Sequence, residues 1–129
     1  DYCRTWSEPE PLKYSNGESF YVTTAHSTLF KSKVNGKTYW IGNLQSTNPR
    51  ASFPRYPLVI AEVDLTNFGL KKKTAVEIDT KHEADGEQMQ LSNFKILENK
   101  KNAEIIVVLT RREGANSAKY PSWYRIKLN

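Results

Sequence analysis

The amino-acid sequence predicts an all-β protein, and three observations lead to this prediction. No stretch of the 129 residues sustains an apolar period of 3.6, so no amphipathic helix is indicated. Apolar residues come instead in short runs that Gly, Pro, Asn and Asp interrupt. These runs are rich in Tyr, Trp, Phe, Val, Ile and Thr, which suit a half-buried pleated sheet. We therefore expect short antiparallel strands joined by turns.

The first half of the chain predicts four strands. Residues 7–13 are expected to form an outer strand, because their two prolines are tolerated only at a sheet edge. Residues 27–34 and 37–43 flank Asn35-Gly36, a dipeptide that predicts a hairpin with a type I′ turn. Residues 58–63 form an apolar run of strand length.

The second half predicts four more strands. Residues 74–80 are expected to form one, although residues 70–84 also fit a single amphipathic helix, and this alternative stays open. Residues 91–97 and 104–110 form a second predicted hairpin, and the unbroken apolar run in the latter indicates a strand covered on both faces. Alternating residues 123–128 form the last strand.

The charge of the chain favours an anionic partner. Lys and Arg number 19 and Asp and Glu 14, which gives a formal net charge of +5. Such a balance suits acidic sugars or nucleic acid, or it reflects a solvated surface with surplus lysine. Most basic residues fall in predicted turns, so nucleic acid ranks as an unlikely partner. No apolar run is long enough to predict a membrane span.

Cysteine and histidine limit the possible metal chemistry. The single cysteine, Cys3, excludes an internal disulfide and a cysteine-based metal site. The two histidines, His26 and His82, are too few and too far apart to suggest a zinc cluster. We therefore predict neither a metal nor a cofactor.

Three stretches resemble segments of a known family. The sequence D-x-C-x-T-W at residues 1–6 keeps the Asp, Thr and Trp spacing of a sialidase-type Asp box, with Cys3 where Gly is usual. In that box a tight turn joins two outer strands, and the Trp packs between neighbouring sheets. Residues 55–64 and 90–94 also resemble sialidase-like (BNR-repeat) β-propellers.

This resemblance implies a fold and an arrangement of the chain. The chain would be the C-terminal part of a six-bladed sialidase-like propeller, made of antiparallel four-stranded blades. A weak internal repeat of about 60 residues agrees with blade-sized units. Residues 1–14 would end one blade, residues 19–80 would form a complete blade, and residues 89–129 would form an incomplete last one. A self-contained β-sandwich is the alternative fold.

In such a propeller, the loops around the central channel open on one face and hold the site. By resemblance, sialidases bind the sugar carboxylate with three arginines, use a Tyr–Glu nucleophile and use an Asp as acid/base. Planar guanidinium groups suit a carboxylate because they bind it in a bidentate manner. The candidates for substrate binding on these loops are Asn43, Arg50, Arg55, Gln90, Arg111 and Tyr120. The candidates for catalysis are His26 and Glu87.

The arginine candidates have different grounds. Arg55, in Arg-Tyr-Pro-Leu, resembles the Arg-x-Pro that opens sialidase chains, although it lies in another part of the chain; otherwise it is a surface arginine. Arg111 and Arg112 leave a predicted buried strand, and one of them is expected to face the channel.

Each of the two catalytic candidates has an alternative interpretation. His26 takes the position at which a sialidase would bring its nucleophilic Tyr, so it is either a general acid/base or a structural histidine. Glu87 precedes Gln88 and Gln90 and would partner His26 or an arginine, unless it is simply solvated.

Three function hypotheses follow. The first is a fragment of a carbohydrate-active propeller, a glycoside hydrolase acting on glycans, with acidic sugars as candidate substrates, and inactive as an isolated piece. The second is a non-catalytic glycan-binding propeller that uses the same residues. The third, ranked last, is a basic β domain that binds nucleic acid. The localisation is left open, and the family resemblance implies a secreted or periplasmic protein.

Overall fold

The protein is all-β, as its sequence predicts. The computed structural model describes residues 5–114 and 117–128. Its strands are β1 (Tyr21–Val22), β2 (Thr28–Lys31), β3 (Thr38–Gln45), β4 (Leu58–Asp64), β5 (Gly69–Leu70), β6 (Val76–Asp79), β7 (Met89–Gln90), β8 (Lys95–Asn99), β9 (Glu104–Glu113) and β10 (Ser117–Lys127). In these two ranges, no helix is long and apolar enough to cross a membrane.

The first sheet is built around β3 and β4. These strands pair in antiparallel register from Tyr39 opposite Glu62 to Asn43 opposite Leu58. Strands β1 and β2 both pair with the free side of β3, at its two ends. Strands β5 and β6 likewise pair with the free side of β4. This sheet therefore takes its strands from residues 21–79.

The second sheet is built around β9. Strand β10 pairs along one side of β9, with a register shift between Ala118 and Pro121. Strands β7 and β8 pair along the other side. All of these pairings are antiparallel, and the strands come from residues 89–127.

The main core lies between the two sheets. Alternate residues of the central strands point into it, as the period of two in a strand requires. Its buried members are Tyr39, Ile41, Leu58, Ile60, Met89, Leu91, Phe94, Ile105, Val107 and Leu109. A smaller cluster of Trp40, Ala61, Val63 and Leu70 covers the opposite face of the first sheet. The first sheet is thus buried on both faces.

Two predicted elements near the N-terminus differ from the structure. Residues 7–13 form no regular strand, because prolines at 9 and 11 cannot donate to a ladder; instead Tyr14 makes an isolated parallel bridge with Leu70. Trp6 does not pack between sheets as an Asp-box Trp would, since 85% of it is exposed. The Asp box itself lies mostly outside the described residues.

The hairpin at Asn35-Gly36 is confirmed, but its turn is not type I′. Only Gly36 of the pair has a positive φ, 74°, whereas type I′ requires two such residues. The loop closes through a hydrogen bond from the Ser32 N–H to the Lys37 carbonyl, 2.8 Å. The Asn35 side chain accepts the Lys37 N–H at 3.1 Å and donates to Tyr39 Oη at 2.9 Å. These bonds favour a loop that is longer than a two-residue type I′ turn.

In the second half, the strand predicted at residues 74–80 is confirmed as β6, one alternative is excluded and one expectation is corrected. Residues 70–84 do not form a helix: they contain a 3₁₀ turn at Lys72–Thr74 and then β6, whose backbone pairs with β4. The apolar run of β9 is not covered on both faces. Ile105 and Val107 are buried, whereas Ile106 on the other face is only half-buried. No second layer among the described residues packs against that face.

Candidate functional site

The strand register brings the predicted site loops to one end of both sheets. In the first sheet, Leu58 lies opposite both Asn43 and Asp79, so the connections after β3 and β6 share an end. In the second sheet, Gln90 lies opposite Arg112. An isolated parallel bridge between Arg55 and Gln90 joins the two sheets there. We call this the loop end, comprising residues 23–27, 46–57, 80–88 and 111–114.

Arg55 is the half-buried cation of the loop end. Its Nε donates to the Ser52 carbonyl at 2.9 Å, and one terminal nitrogen donates to Gln90 Oε1 at 3.0 Å and Ser92 Oγ at 3.4 Å. Its guanidinium carbon lies 5.2 Å from the centre of the Phe53 ring. No carboxylate of residues 5–114 or 117–128 forms an ion pair with it. Neutral groups thus position a charge that no described carboxylate neutralises.

Asn43 positions the strands beneath this arginine. The side chain is 2% exposed. Its amide nitrogen donates to the carbonyls of Pro57 at 3.2 Å and Leu91 at 3.1 Å. Its amide oxygen is buried without a partner in the described part of the chain. The carbonyl of Arg55 accepts the Leu91 N–H at 2.9 Å, so Asn43 and Arg55 both form hydrogen bonds with the backbone of Leu91.

His26 and Glu87 do not contact each other. The His26 ring is exposed and lies with its centroid 4.5 Å from that of Phe94, in a shallow cavity of ≈ 330 Å³. Glu87 forms an ion pair with Lys81 at 2.7 Å, and 91% of its side chain is exposed. The hydrogen bond from Lys81 lowers the pKa of Glu87. Glu87 therefore pairs with a lysine, not with His26 or an arginine as predicted.

Two further candidates, Arg50 and Tyr120, are exposed. Arg50 lies in the loop 46–57, where its carbonyl accepts the Phe53 N–H at 3.4 Å. Tyr120 is 63% exposed and lies in the part of β10 nearest the loop end. Both side chains are open to solvent, and their roles in substrate binding stay predictions.

Unlike Arg55, Arg111 forms ion pairs with described carboxylates. Its side chain is 8% exposed and donates to the carboxylates of Asp79 and Asp85, which are 9% and 7% exposed. His82 Nδ1 lies 3.4 Å from the same guanidinium, and the Tyr124 hydroxyl donates to Asp79. We call these five residues the Arg111 network. Two carboxylates neutralise the arginine, so it is not free to hold a substrate carboxylate in this conformation.

The pKa values in the network favour its ion pairs. Burial acts to raise the pKa of Asp79, but hydrogen bonds from Tyr124, Thr80 and Arg111 outweigh it and lower that pKa. Burial raises the pKa of Tyr124, as does its hydrogen bond to Asp79. The network at neutral pH thus contains a charged arginine, an ionised Asp79 and a neutral phenol.

The network also fixes the loop 80–88 against the second sheet. The Asp85 carboxylate accepts the His82 N–H at 2.8 Å as well as the arginine. Gly86 in this loop lies close to β9, where a Cβ atom would overlap the Glu113 carboxylate and require that side chain to move. The network therefore joins the sheets at the loop end and gives the site loops a fixed frame.

Asp79 should make the stability of the fold depend on pH. Its folded-state pKa lies below the ordinary value of 3.8, so its contribution is present above that value and is lost as pH falls through the folded-state pKa. Urea unfolding of wild type and Asp79→Asn should show the wild type more stable at about pH 7, with the difference shrinking below about pH 4. A difference that stays constant with pH would contradict this assignment.

Sequence reasoning missed Asp79, Asp85 and Tyr124. Each is a common residue in a strand or turn, and no motif spacing joins them, because Asp79 and Tyr124 are 45 positions apart. Within the described residues, no group of three or more His, Cys, Asp or Glu side chains has an arrangement that could hold a metal ion.

The comparisons with known proteins leave the family open. Searches with protein-family models, curated proteins and solved structures find no match to this chain. The resemblance to sialidase-like propellers therefore stays a prediction from the sequence.

Proposed function

We propose that this chain binds a carboxylate-bearing glycan at the loop end, with Arg55 as the anchor for the carboxylate. The observation that carries the proposal is the half-buried guanidinium, whose acceptors among the described residues are all neutral and belong to Ser52, Gln90 and Ser92. A guanidinium fixed in this way is ready to bind an anion, because its orientation is already determined. A carboxylate also matches the planar geometry of its donors.

The surroundings of Arg55 suit a sugar. Phe53 is 38% exposed beside the guanidinium and offers an apolar ring face. Gln90 is half-buried and offers an amide to hydroxyl groups. His26, on a neighbouring loop of the same end, adds a ring nitrogen that can donate or accept a hydrogen bond. This mixture of apolar surface and few polar groups is typical of small-ligand sites.

Binding ranks ahead of hydrolysis. A glycosidase needs two groups that flank the scissile bond, commonly two carboxyls about 5–10 Å apart. Glu87 is exposed and held by Lys81, and it has no contact with His26. The buried carboxylates at the loop end, Asp79 and Asp85, are engaged by Arg111. Among the described residues, no pair of groups therefore supports the glycoside hydrolase activity of the sequence hypothesis.

Replacing Arg55 by alanine should weaken the binding of acidic glycans about tenfold to a hundredfold, since hydrogen bonds to charged groups contribute about 1.5–3 kcal/mol. Isothermal titration with a uronic-acid oligosaccharide and a sialylated trisaccharide, each beside a neutral analogue, measures the effect. The matched control is Lys13→Ala, which removes an exposed cation away from the loop end.

Circular dichroism of Arg55→Ala verifies that the variant is folded. An unchanged affinity in a folded Arg55→Ala variant would show that Arg55 is a surface residue and would overturn the proposal. Equal binding of the acidic and neutral sugars would do so as well. A single-stranded oligonucleotide tested over a range of salt addresses the third hypothesis, which requires affinity to fall steeply with salt.

A further inference from the structure

Strand β10 has an unpaired edge in the described structure. It pairs with β9 on one side, and none of the described strands pairs with its other side. The register shift before Pro121 interrupts the beginning of the strand, but Ser122–Lys127 pairs regularly, from Ser122 opposite Leu109 to Lys127 opposite Glu104. A regular, unpaired edge of this length can accept another strand.

An apolar groove runs beside this edge. It has a volume of ≈ 290 Å³ and lies between β10 and the edge of the first sheet at β6. Its lining is mainly apolar, from Tyr39, Ile60, Val76, Ile126 and Leu128, and is completed by Lys37, Glu62, Thr74 and Lys127. Val76 is 57% exposed there. Alternate side chains of an added strand point to one face, so apolar residues at every second position would enter the groove.

The opposite face at this edge is basic. Arg125 and Lys127, both on β10, are exposed, and the Arg125 guanidinium lies 4.5 Å from the centre of the Trp123 ring. The register places Glu104 on the same face, but it is 5% exposed. A second copy of this chain would bring these cations together, whereas an acidic segment would be attracted to them.

We propose that the edge Ser122–Lys127 binds an extended peptide segment of alternating apolar and acidic residues as an added β-strand. Backbone hydrogen bonds to β10 supply the part of the affinity that does not depend on the peptide sequence, and the groove selects the apolar side chains. The cations on the other face select the acidic ones. The groove lies at the opposite end of the sheets from Arg55, so this interaction is separate from the proposed glycan site.

The test follows the NMR spectrum of isotope-labelled protein as synthetic octapeptides are added. A peptide of alternating valine and glutamate should shift the backbone amide signals of residues 122–127. A peptide of alternating valine and lysine should bind at least about tenfold more weakly, because like charges would meet. The glutamate peptide N-methylated at alternate residues should lose binding as well, because it cannot complete the ladder.

Variants locate the site on the protein. The double substitution Arg125→Glu and Lys127→Glu should weaken glutamate-peptide binding at least about tenfold. Val76→Glu, at an exposed position in the groove, should also weaken glutamate-peptide binding. This variant replaces the double variant in the test if the double variant does not fold. The matched control Lys31→Glu changes an exposed lysine on the edge strand β2 of the first sheet and should leave affinity unchanged.

Several results would overturn the proposal. These are equal binding of the valine–lysine peptide, an equal effect of Lys31→Glu, or no shift at residues 122–127. A shift caused by concentration alone would identify a second copy as the occupant, and one caused by an oligonucleotide and abolished by Trp123→Ala would identify nucleic acid. Arg55→Ala should leave peptide binding unchanged, so the peptide proposal and the glycan proposal can be tested independently.

Discussion

Replacing Arg111 by leucine should lower the free energy of unfolding by about 3–5 kcal/mol, because it leaves two buried carboxylates without their cation. The side chains of Asp79 and Asp85 are 9% and 7% exposed, so water can solvate them only weakly. Urea unfolding at neutral pH measures the loss. The matched control is Arg125→Leu, since the exposed Arg125 lies in the same sheet and should change stability by less than about 1 kcal/mol.

A combined variant tests the physical reason. Asp79→Asn and Asp85→Asn, added to Arg111→Leu, remove the uncompensated charges and should restore part of the lost stability. The effects of these neighbouring residues should not be additive. If Arg111→Leu alone costs less than about 1 kcal/mol, the ion pairs do not hold the sheets together.

Replacing Phe94 by alanine should cost about 3–5 kcal/mol, the usual loss for a large buried aromatic side chain. Phe94 is 1% exposed and belongs to the core between the two sheets. Phe94→Leu fills most of the space and should cost less than Phe94→Ala. Leu65→Ala is the control, because Leu65 is 61% exposed and its substitution should cost about 0.5 kcal/mol or less.

The Phe94 variant also probes the candidate site. The His26 ring lies against Phe94, so the loss of the aromatic ring should shift the His26 ring signals in an NMR spectrum. Phe94→Leu should produce the same shift with a smaller loss of stability. Unchanged His26 signals in both variants would show that this contact does not exist in solution.

The sequence predicted most strands because their cause is local. The segments that form β3 and β4 are short apolar runs, and alternate side chains of each strand enter the core between the sheets. The hairpin at Asn35-Gly36 was also predictable, since a glycine with positive φ was available. Its turn type was not, because Asn35 bonds to Lys37 and Tyr39 rather than adopting the second positive φ.

The candidate site was predictable only in part. The register brings the predicted loops to one end, and Arg55 and Gln90, both predicted, form a direct hydrogen bond. Glu87 and Arg111 were expected to face a ligand. The structure pairs Glu87 with Lys81 and buries Arg111 among carboxylates. The sequence shows which residues are charged but not which of them form ion pairs.

The sequence by itself determined the all-β class, most of the strands and the excess of positive charge, because these follow from residue type and short-range spacing. Only the tertiary structure decided which arginine keeps its charge available. Arg55 lies in a loop and Arg111 near the end of β9, and the packing of the two sheets brings Asp79 of β6 to Arg111 but no described carboxylate to Arg55. Electrostatic neutralisation acts over a few ångströms, and such distances are set by the packing of the sheets.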